Sequence, residues 1–315
     1  MMKPALKPLK KNFLNPEKAR KELQSLVNGG MQRNGVARRI KSVLPPANLN
    51  YGLDKKSSNS YIYLYDTYVQ DPEYKNIIAN IEKRLRDFEI FGKTIKLSSF
   101  TNPKVLIEDE MRHGSSTVVM VGNDDTFIRI LSRAADLNVT FGFIPVGQKR
   151  NHFAEVLGMP LNEKACEVIS ARKIEKLDYA TINEKFFFIC YLFIPSAKLR
   201  VQCDENFTAD LRQEKFEVAI ANLLPPPFES QRFHLHPQDG QMEIYFRPTG
   251  GGLLSSLMAS KKKKKISTFF FKKILLKMEK PALVVADGRE SKEAMISIEI
   301  NKKKLAMIVG KNRQF

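Results

Sequence analysis

Two short segments combine glycine, carboxylate, amide and hydroxyl residues where chemistry could be done. The first is Gly122-Asn123-Asp124-Asp125-Thr126, directly after the apolar run TVVMV. The second runs from Pro145 through Gly147 to Asn151, directly after a second apolar run. A glycine at the end of a strand lets a ligand approach the backbone closely, and the helix that follows offers its unpaired N–H groups to an anion. In an open α/β sheet, ligands collect at the carboxyl ends of the strands. Two such loops at one edge could hold an anionic ligand. Read from spacing alone, they are equally two ordinary strand-to-helix turns. His234 and His236 would share one face of a strand, but no third ligand joins them to make a metal site.

These loops need elements to hold them. The run YIYLY at 61–65 reads as a buried strand. Asp71-Pro72 opens a helix whose Ile77, Ile78, Ile81, Leu85 and Phe88 share a face. A short strand is expected at 94–97, a helix capped by Asn102-Pro103, the strand 117–121, a helix over 127–135 and a strand over 139–144. Short helices follow at 151–157 and 163–171. Strand alternating with helix predicts a parallel sheet layered by helices. After about Leu177 the helical signal fades. Strands are expected at 186–194, 198–203, 216–223, 233–236, 242–246, 267–276, 282–285, 295–300 and 305–309, with one short helix at 252–260. Turns such as Asp239-Gly240 and Asp287-Gly288 punctuate them. This is the pattern of an antiparallel β region.

The 315 residues carry a formal net charge of +18. Residues 1–59 hold 13 Lys/Arg against 3 Asp/Glu, and residues 261–280 hold nine lysines against one glutamate. The excess therefore sits in two appendages, and the rest is near neutral. Such segments attract polyanions. They are expected to favour anionic over neutral vesicles, with an attraction that fades as salt shortens the Debye length. The three cysteines, Cys166, Cys190 and Cys203, fit no zinc or disulfide framework. The longest apolar run, at 186–195, is too short to span a bilayer. The first residues lack the apolar stretch of a secretory signal. A cytoplasmic location is expected, with peripheral contact on the inner membrane face.

The segment VVMVGNDDTFIRIL resembles the diacylglycerol kinase catalytic-domain motif, a strand followed by Gly-Gly-Asp-Gly-Thr and a helix. The later segment FGFIPVGQKRNHFAEVLGMP is similar to that family's Pro-x-Gly-Thr-x-Asn-Asp-Phe-Ala motif. Asp239-Gly240 and Asp287-Gly288 resemble its acidic turns. The resemblance implies the fold of the bacterial diacylglycerol kinase-like lipid kinases and the NAD kinase-like superfamily: a doubly wound α/β domain, then an antiparallel β-sandwich domain. The corresponding boundaries are a basic extension at 1–59, an α/β domain at 60–178 to which 301–315 returns, and a β domain at 179–300.

Carried over by position, the resemblance implies that Gly122, Asp124 and Thr126 with Gly147 and Asn151 bind ATP. Asp124 and Asp287 become the catalytic carboxylates, and Asp239 serves a Mg²⁺ network. Asn123 and Asp125 depart from the family, standing where it has glycines, and Arg289 follows Gly288 so that the acidic residue moves to Glu290. A carboxylate at Asp125 would repel nucleotide phosphates unless a metal intervened. The implied function is ATP-dependent phosphorylation of a lipid hydroxyl at an anionic membrane surface. The alternative is a noncatalytic member that binds a lipid or a nucleotide. Nucleic acid is the least favoured partner, since no binding motif accompanies the charge.

Overall fold

The tyrosine-rich run forms β1 (Ser60–Tyr65), the centre of a parallel layer. β2 (Gly92–Lys96) pairs on one side of it and β3 (Ser115–Gly122) on the other, and β4 (Thr140–Pro145) continues beside β3. Val118 to Val121 of β3 are fully buried, as expected for a strand covered by helices on both faces. This computed structural model describes residues 60–147, 151–204, 207–227, 235–249 and 266–315. The strand and short helix expected at 233–236 and 252–260 lie wholly or partly outside those residues, as do His234, lysines 261–265, residues 1–59 and the middle of the second loop.

Two of the helices begin at side-chain caps that the sequence offers. The Asn102 side chain accepts from the Lys104 amide, with Pro103 in the first turn, and starts α2 (Pro103–Arg112). Asp71-Pro72 opens a 3-10 turn that runs into α1 (Lys75–Asp87). α3 (Asp124–Ala134), α4 (His152–Leu157) and α5 (Ala165–Ala171) complete the layer. α1 packs on α5 and α2 on α3, so the sheet is wound on both faces. The strand order β2-β1-β3-β4 reverses direction between β1 and β3. The crevice outside the carboxyl ends of those two strands is the expected ligand position in such a sheet.

The remainder is antiparallel. β5 (Ile174–Ile182), β6 (Phe186–Phe188), β7 (Tyr191–Cys203), β8 (Phe207–Ala221), β9 (Met242–Pro248), β10 (Ser267–Phe271), β11 (Lys273–Ala286) and β12 (Arg289–Ile308) follow in turn. Their order is β10-β9-β8-β7-β11-β12, with β5 also on β12 and β6 on β5. β12 pairs parallel with β4 at Ala306 and Met307. Its Ile296 and Ile298 belong to the core of the β region, while Leu305, Met307 and Ile308 belong to the core of the α/β region. Among the described residues no helix is long and apolar enough to cross a membrane.

Several strands begin or break where the sequence pattern alone does not show it, and carboxylates explain why. The two strands expected at 295–300 and 305–309 are one, because Asp178 accepts the Lys303 amide at 2.5 Å across an irregularity between Asn301 and Leu305. The expected strand 267–276 breaks at Lys272, where Asp204 accepts the Lys273 amide at 2.9 Å. The ten-residue apolar run at 186–195 is divided at Ile189 and Cys190, whose amides go to Asp287 rather than to a neighbouring strand.

Asn222 stitches this division to β5. Its side-chain amide donates to the carbonyls of Asp178 at 2.9 Å and Ile189 at 2.6 Å, and its own N–H donates to Cys190 at 2.8 Å. Asn222 is buried, so Asn222→Ala leaves two carbonyls without a partner or water. The variant should lose roughly 1–3 kcal/mol in urea unfolding. A loss under about 0.5 kcal/mol, within the range of an ordinary surface change, would show that the stitch is unimportant.

Candidate functional site

β3 and β4 pair up to Gly122 opposite Pro145, and β1 pairs with β3 up to Tyr65 opposite Val121. The segments that follow, at Asp66, Asn123 and Val146, therefore leave the sheet at the same end. Two further backbone bonds continue the ladder, Asp66 to Val121 at 3.0 Å and Val146 to Gly122 at 2.7 Å.

Asn123, in a position the resemblance gives to glycine, is the N-cap of α3. Its side chain accepts from the amides of Asp125 at 3.0 Å and Thr126 at 3.3 Å, and Thr126 Oγ1 accepts from the Asn123 amide at 3.1 Å. This is a reciprocal capping box. The Thr126 hydroxyl also donates to the Asp66 carboxylate, which accepts the Thr67 amide at 2.5 Å and faces Arg129 at 3.3 Å. A Cβ at Gly122 would lie 2.1 Å from Thr126 Oγ1. Glycine is thus required at 122 by the packing of Thr126.

Asp124 does not cap its own helix. Its two oxygens accept the amides of His152 at 2.8 Å and Phe153 at 3.2 Å, the first residues of α4. Burial raises its pKa, and those two amides oppose the rise. One side chain on the first loop thereby fixes the end of the second. Gly147 adopts φ +83°, donates to Asn162 Oδ1 at 3.1 Å, and accepts from the Asn151 side chain at 2.9 Å. The Tyr68 hydroxyl donates to Val146 at 3.0 Å, and its ring packs edge-on against Tyr74 at 5.2 Å. Gly122, Asp124, Thr126, Gly147 and Asn151 are accordingly gathered at one end of the sheet.

Asp287 comes from the turn between β11 and β12, at φ +47°. Its Oδ2 accepts the Ile189 amide at 2.7 Å, and its Oδ1 accepts those of Cys190 at 3.0 Å and Tyr191 at 2.9 Å. Burial pushes its pKa from 3.8 to about 6, against the pull of these amides and Arg289. The buried Cys190 thiol is pushed well up, first by burial and then by Asp287 and Asp124 together. Both carboxylates therefore act on one neighbourhood.

A cleft of about 380 Å³ opens there, with Asp125, Arg129 and Arg133 of α3 on one wall and Asp287 to Arg289 on the other. Ser99 and Thr101 close it. Next to it, a groove of about 260 Å³ is lined by Phe186, Phe187, Val284 and Ala286, and Arg289 lines both. Asp239 is not part of either lining. It is exposed, and its Oδ1 accepts the Gln241 amide at 2.8 Å, while the adjacent Gly240 amide donates to Asp178 at 2.6 Å. Among the described residues no group of three His, Cys, Asp or Glu side chains is placed to hold a metal ion. Asp66, Arg133 and Tyr68 had not been singled out from the sequence. Asp66 carried a usable signal, since it directly follows a buried strand at the same end as both loops.

Residues 70–182 match the family model of the diacylglycerol kinase catalytic domain, a segment that contains both loops. No curated protein matches the chain. Among solved structures, the chain is similar to a diacylglycerol kinase from Bacillus anthracis str. Sterne, with 16% identity and a TM-score of 0.64 over 81% of this chain and 98% of that one. A proposed diacylglycerol kinase from the same organism gives 15%, 0.65, 82% and 100% respectively. At such identity the structures establish the fold. Together with the family match they bear out the resemblance: residues 70–182 carry a divergent diacylglycerol kinase catalytic domain, followed by an antiparallel, strand-rich region. The family in general uses a nucleotide and a divalent metal.

The raised pKa of Asp287 gives a pH test of its burial. Between 3.8 and about 6 the folded chain holds a proton at Asp287 that the unfolded chain has released. Its contribution to stability therefore falls as pH rises through that window. Asp287→Asn cannot titrate there, though it loses an acceptor for the amides. Urea unfolding at pH 4.5 and pH 7.5 should show the wild type losing more stability than the variant over that interval. Parallel losses would mean that Asp287 titrates as an ordinary surface carboxyl.

Proposed function

We propose that the chain is a lipid kinase of the diacylglycerol kinase type, transferring the γ-phosphoryl group of ATP to the hydroxyl of a membrane lipid. The observation that carries this reading is the buried Asp287 carboxyl, with its pKa near 6, on the wall of a cleft whose other wall is the start of α3. A carboxylate offers about four lone-pair positions, and amides take three of those of Asp287. The fourth can accept a proton from an alcohol, and a pKa near the working pH suits a general base. The lipid oxygen then attacks the γ-phosphorus, ADP departs, and the proton stays on Asp287.

ATP enters as its own magnesium complex. The phosphates would lie against the backbone at Gly122 and Gly147 near the first turn of α3. The carboxylates themselves do not fit a protein-held metal: among the described residues no three of them are placed to hold one, and Asp239 lies in a turn outside the cleft lining. Phosphoryl transfer depends mainly on positioning and electrostatics. The Asp124 contact to His152 and Phe153 would hold the two loops in register.

A membrane position is supported by Phe100, which is 98% exposed and sits between the two residues, Ser99 and Thr101, that close the cleft. An apolar side chain in that place would put the cleft mouth against lipid, with the basic segments drawn to anionic headgroups. A second, noncatalytic reading is favoured by Arg289, which places a cation beside the proposed base.

Calorimetric titration with Mg-ATP and turnover with diacylglycerol in vesicles separate the two. The wild type should bind Mg-ATP. Asp125→Gly removes a like charge at the first turn of α3 and should tighten binding by about fivefold, roughly 1 kcal/mol. Asp287→Asn should bind Mg-ATP and lose turnover by about a hundredfold or more. Folded protein that binds no Mg-ATP in any form would support the noncatalytic reading instead.

A further inference from the structure

Two guanidinium groups on the cleft wall form no salt bridge among the described residues. Arg133, in the last turn of α3, is exposed, and Arg289, the first residue of β12, is partly buried. Among the described residues neither forms an ion pair or a side-chain hydrogen bond. The third arginine on the wall, Arg129, is committed to Asp66 at 3.3 Å. Of the carboxylates there, Asp287 already accepts three backbone amides, and Asp125 lies at the opposite end of α3 from Arg133. Arg133 and Arg289 feel each other: the Arg289 pKa is lowered, first by burial and then by the Arg133 charge, with Asp287 opposing. Two like charges face one cavity, with the nearby Asp287 charge a smaller influence on Arg289 than Arg133, and an anion between them relieves their repulsion. The forked donors of arginine fit a phosphate best.

The neighbouring groove identifies what the phosphate is attached to. Phe186, Phe187, Val284 and Ala286 give it an apolar wall, and Arg289 lines both spaces. The Arg289 guanidinium lies 5.9 Å from the Phe186 ring centroid. A ligand reaching from one space to the other is anionic at one end and hydrocarbon at the other.

We propose that this chain binds a phosphorylated lipid, its phosphate monoester between Arg133 and Arg289 and its hydrocarbon part in the groove at Phe186. The inference rests on the reading of the cleft as a lipid site and does not require phosphoryl transfer. In a working kinase the ligand is the retained product; in a noncatalytic chain it is the cargo.

The test uses the full chain and three probes. Phosphatidylcholine vesicles containing phosphatidate are compared with vesicles containing phosphatidylserine at matched surface charge, because the basic segments alone favour any anionic surface. Inorganic phosphate in solution is the third probe, titrated by calorimetry. The expected result is binding to phosphatidate vesicles about tenfold tighter than to phosphatidylserine vesicles, the scale of one charge-assisted contact pair. Arg289→Gln and Arg133→Gln should each reduce that preference, the double variant should abolish it, and binding to phosphatidylserine should persist in all three. Arg133 is exposed, so its variant should fold, and thermal melting checks the others. Equal binding at matched charge, or a preference that survives in the folded double variant, overturns the proposal. So does arginine-dependent binding of inorganic phosphate without a phosphatidate preference, since the source is then free phosphate. Turnover of Mg-ATP on the same samples is a separate readout. Preference without turnover removes the kinase reading and keeps this one, and turnover without preference does the reverse.

Discussion

The Asp287 carboxylate takes three consecutive backbone amides, those of Ile189, Cys190 and Tyr191, out of the strand pairing they would otherwise seek. Backbone N–H groups buried without a partner are rarely tolerated, so this side chain decides where β6 ends and β7 begins. It also anchors the β11–β12 turn against that division, and the Asp287 amide returns a bond to Tyr191 at 3.0 Å. The cleft exists because the turn is held there, opposite α3. Replacing Asp287 by an apolar residue of similar size would leave three donors stranded.

The same device recurs at each junction of the molecule. Asp124 holds the start of α4, Asp178 holds the Gly240 and Lys303 amides, and Asp66 gathers Thr67, Thr126 and Arg129. Carboxylates bonded to amides are strong, directional clamps. They also explain how a chain that departs from the glycine-rich motif keeps its loop in place. Asn123 supplies the helix cap that holds the first loop, and Gly122 survives because Thr126 leaves no room for a side chain.

Much of this was legible in the sequence. The alternation of apolar runs with capped helices up to Ala171, and the strand series after it, gave the two kinds of layer, because burial periodicity and capping are local signals. The two loops were found for the same reason. What escaped was non-local. Nothing near residue 189 shows that an aspartate almost a hundred positions later will claim its amide, so the apolar run there reads as one strand. Nor does the sequence show that β12 is a single strand bridging two cores, since its irregularity at Lys303 is sustained by Asp178. Asp239, to which the family resemblance assigns a metal role, lies in a turn where its oxygen accepts the Gln241 amide. The cationic side of the cleft joins Arg129 and Arg133, one helical turn apart, to Arg289 far along the chain, and that juxtaposition is not revealed by spacing.

The most direct test of the cleft as the working site is amide hydrogen exchange on the full chain, with and without Mg-ATP and a short-chain diacylglycerol. Binding there should slow exchange at residues 98–101, 122–126, 186–191 and 287–290, and leave residues 154–173 and 309–312, around a separate cavity of about 890 Å³, unchanged. Protection confined to that second cavity, or no protection in the folded chain at saturating ligand, would contradict the account.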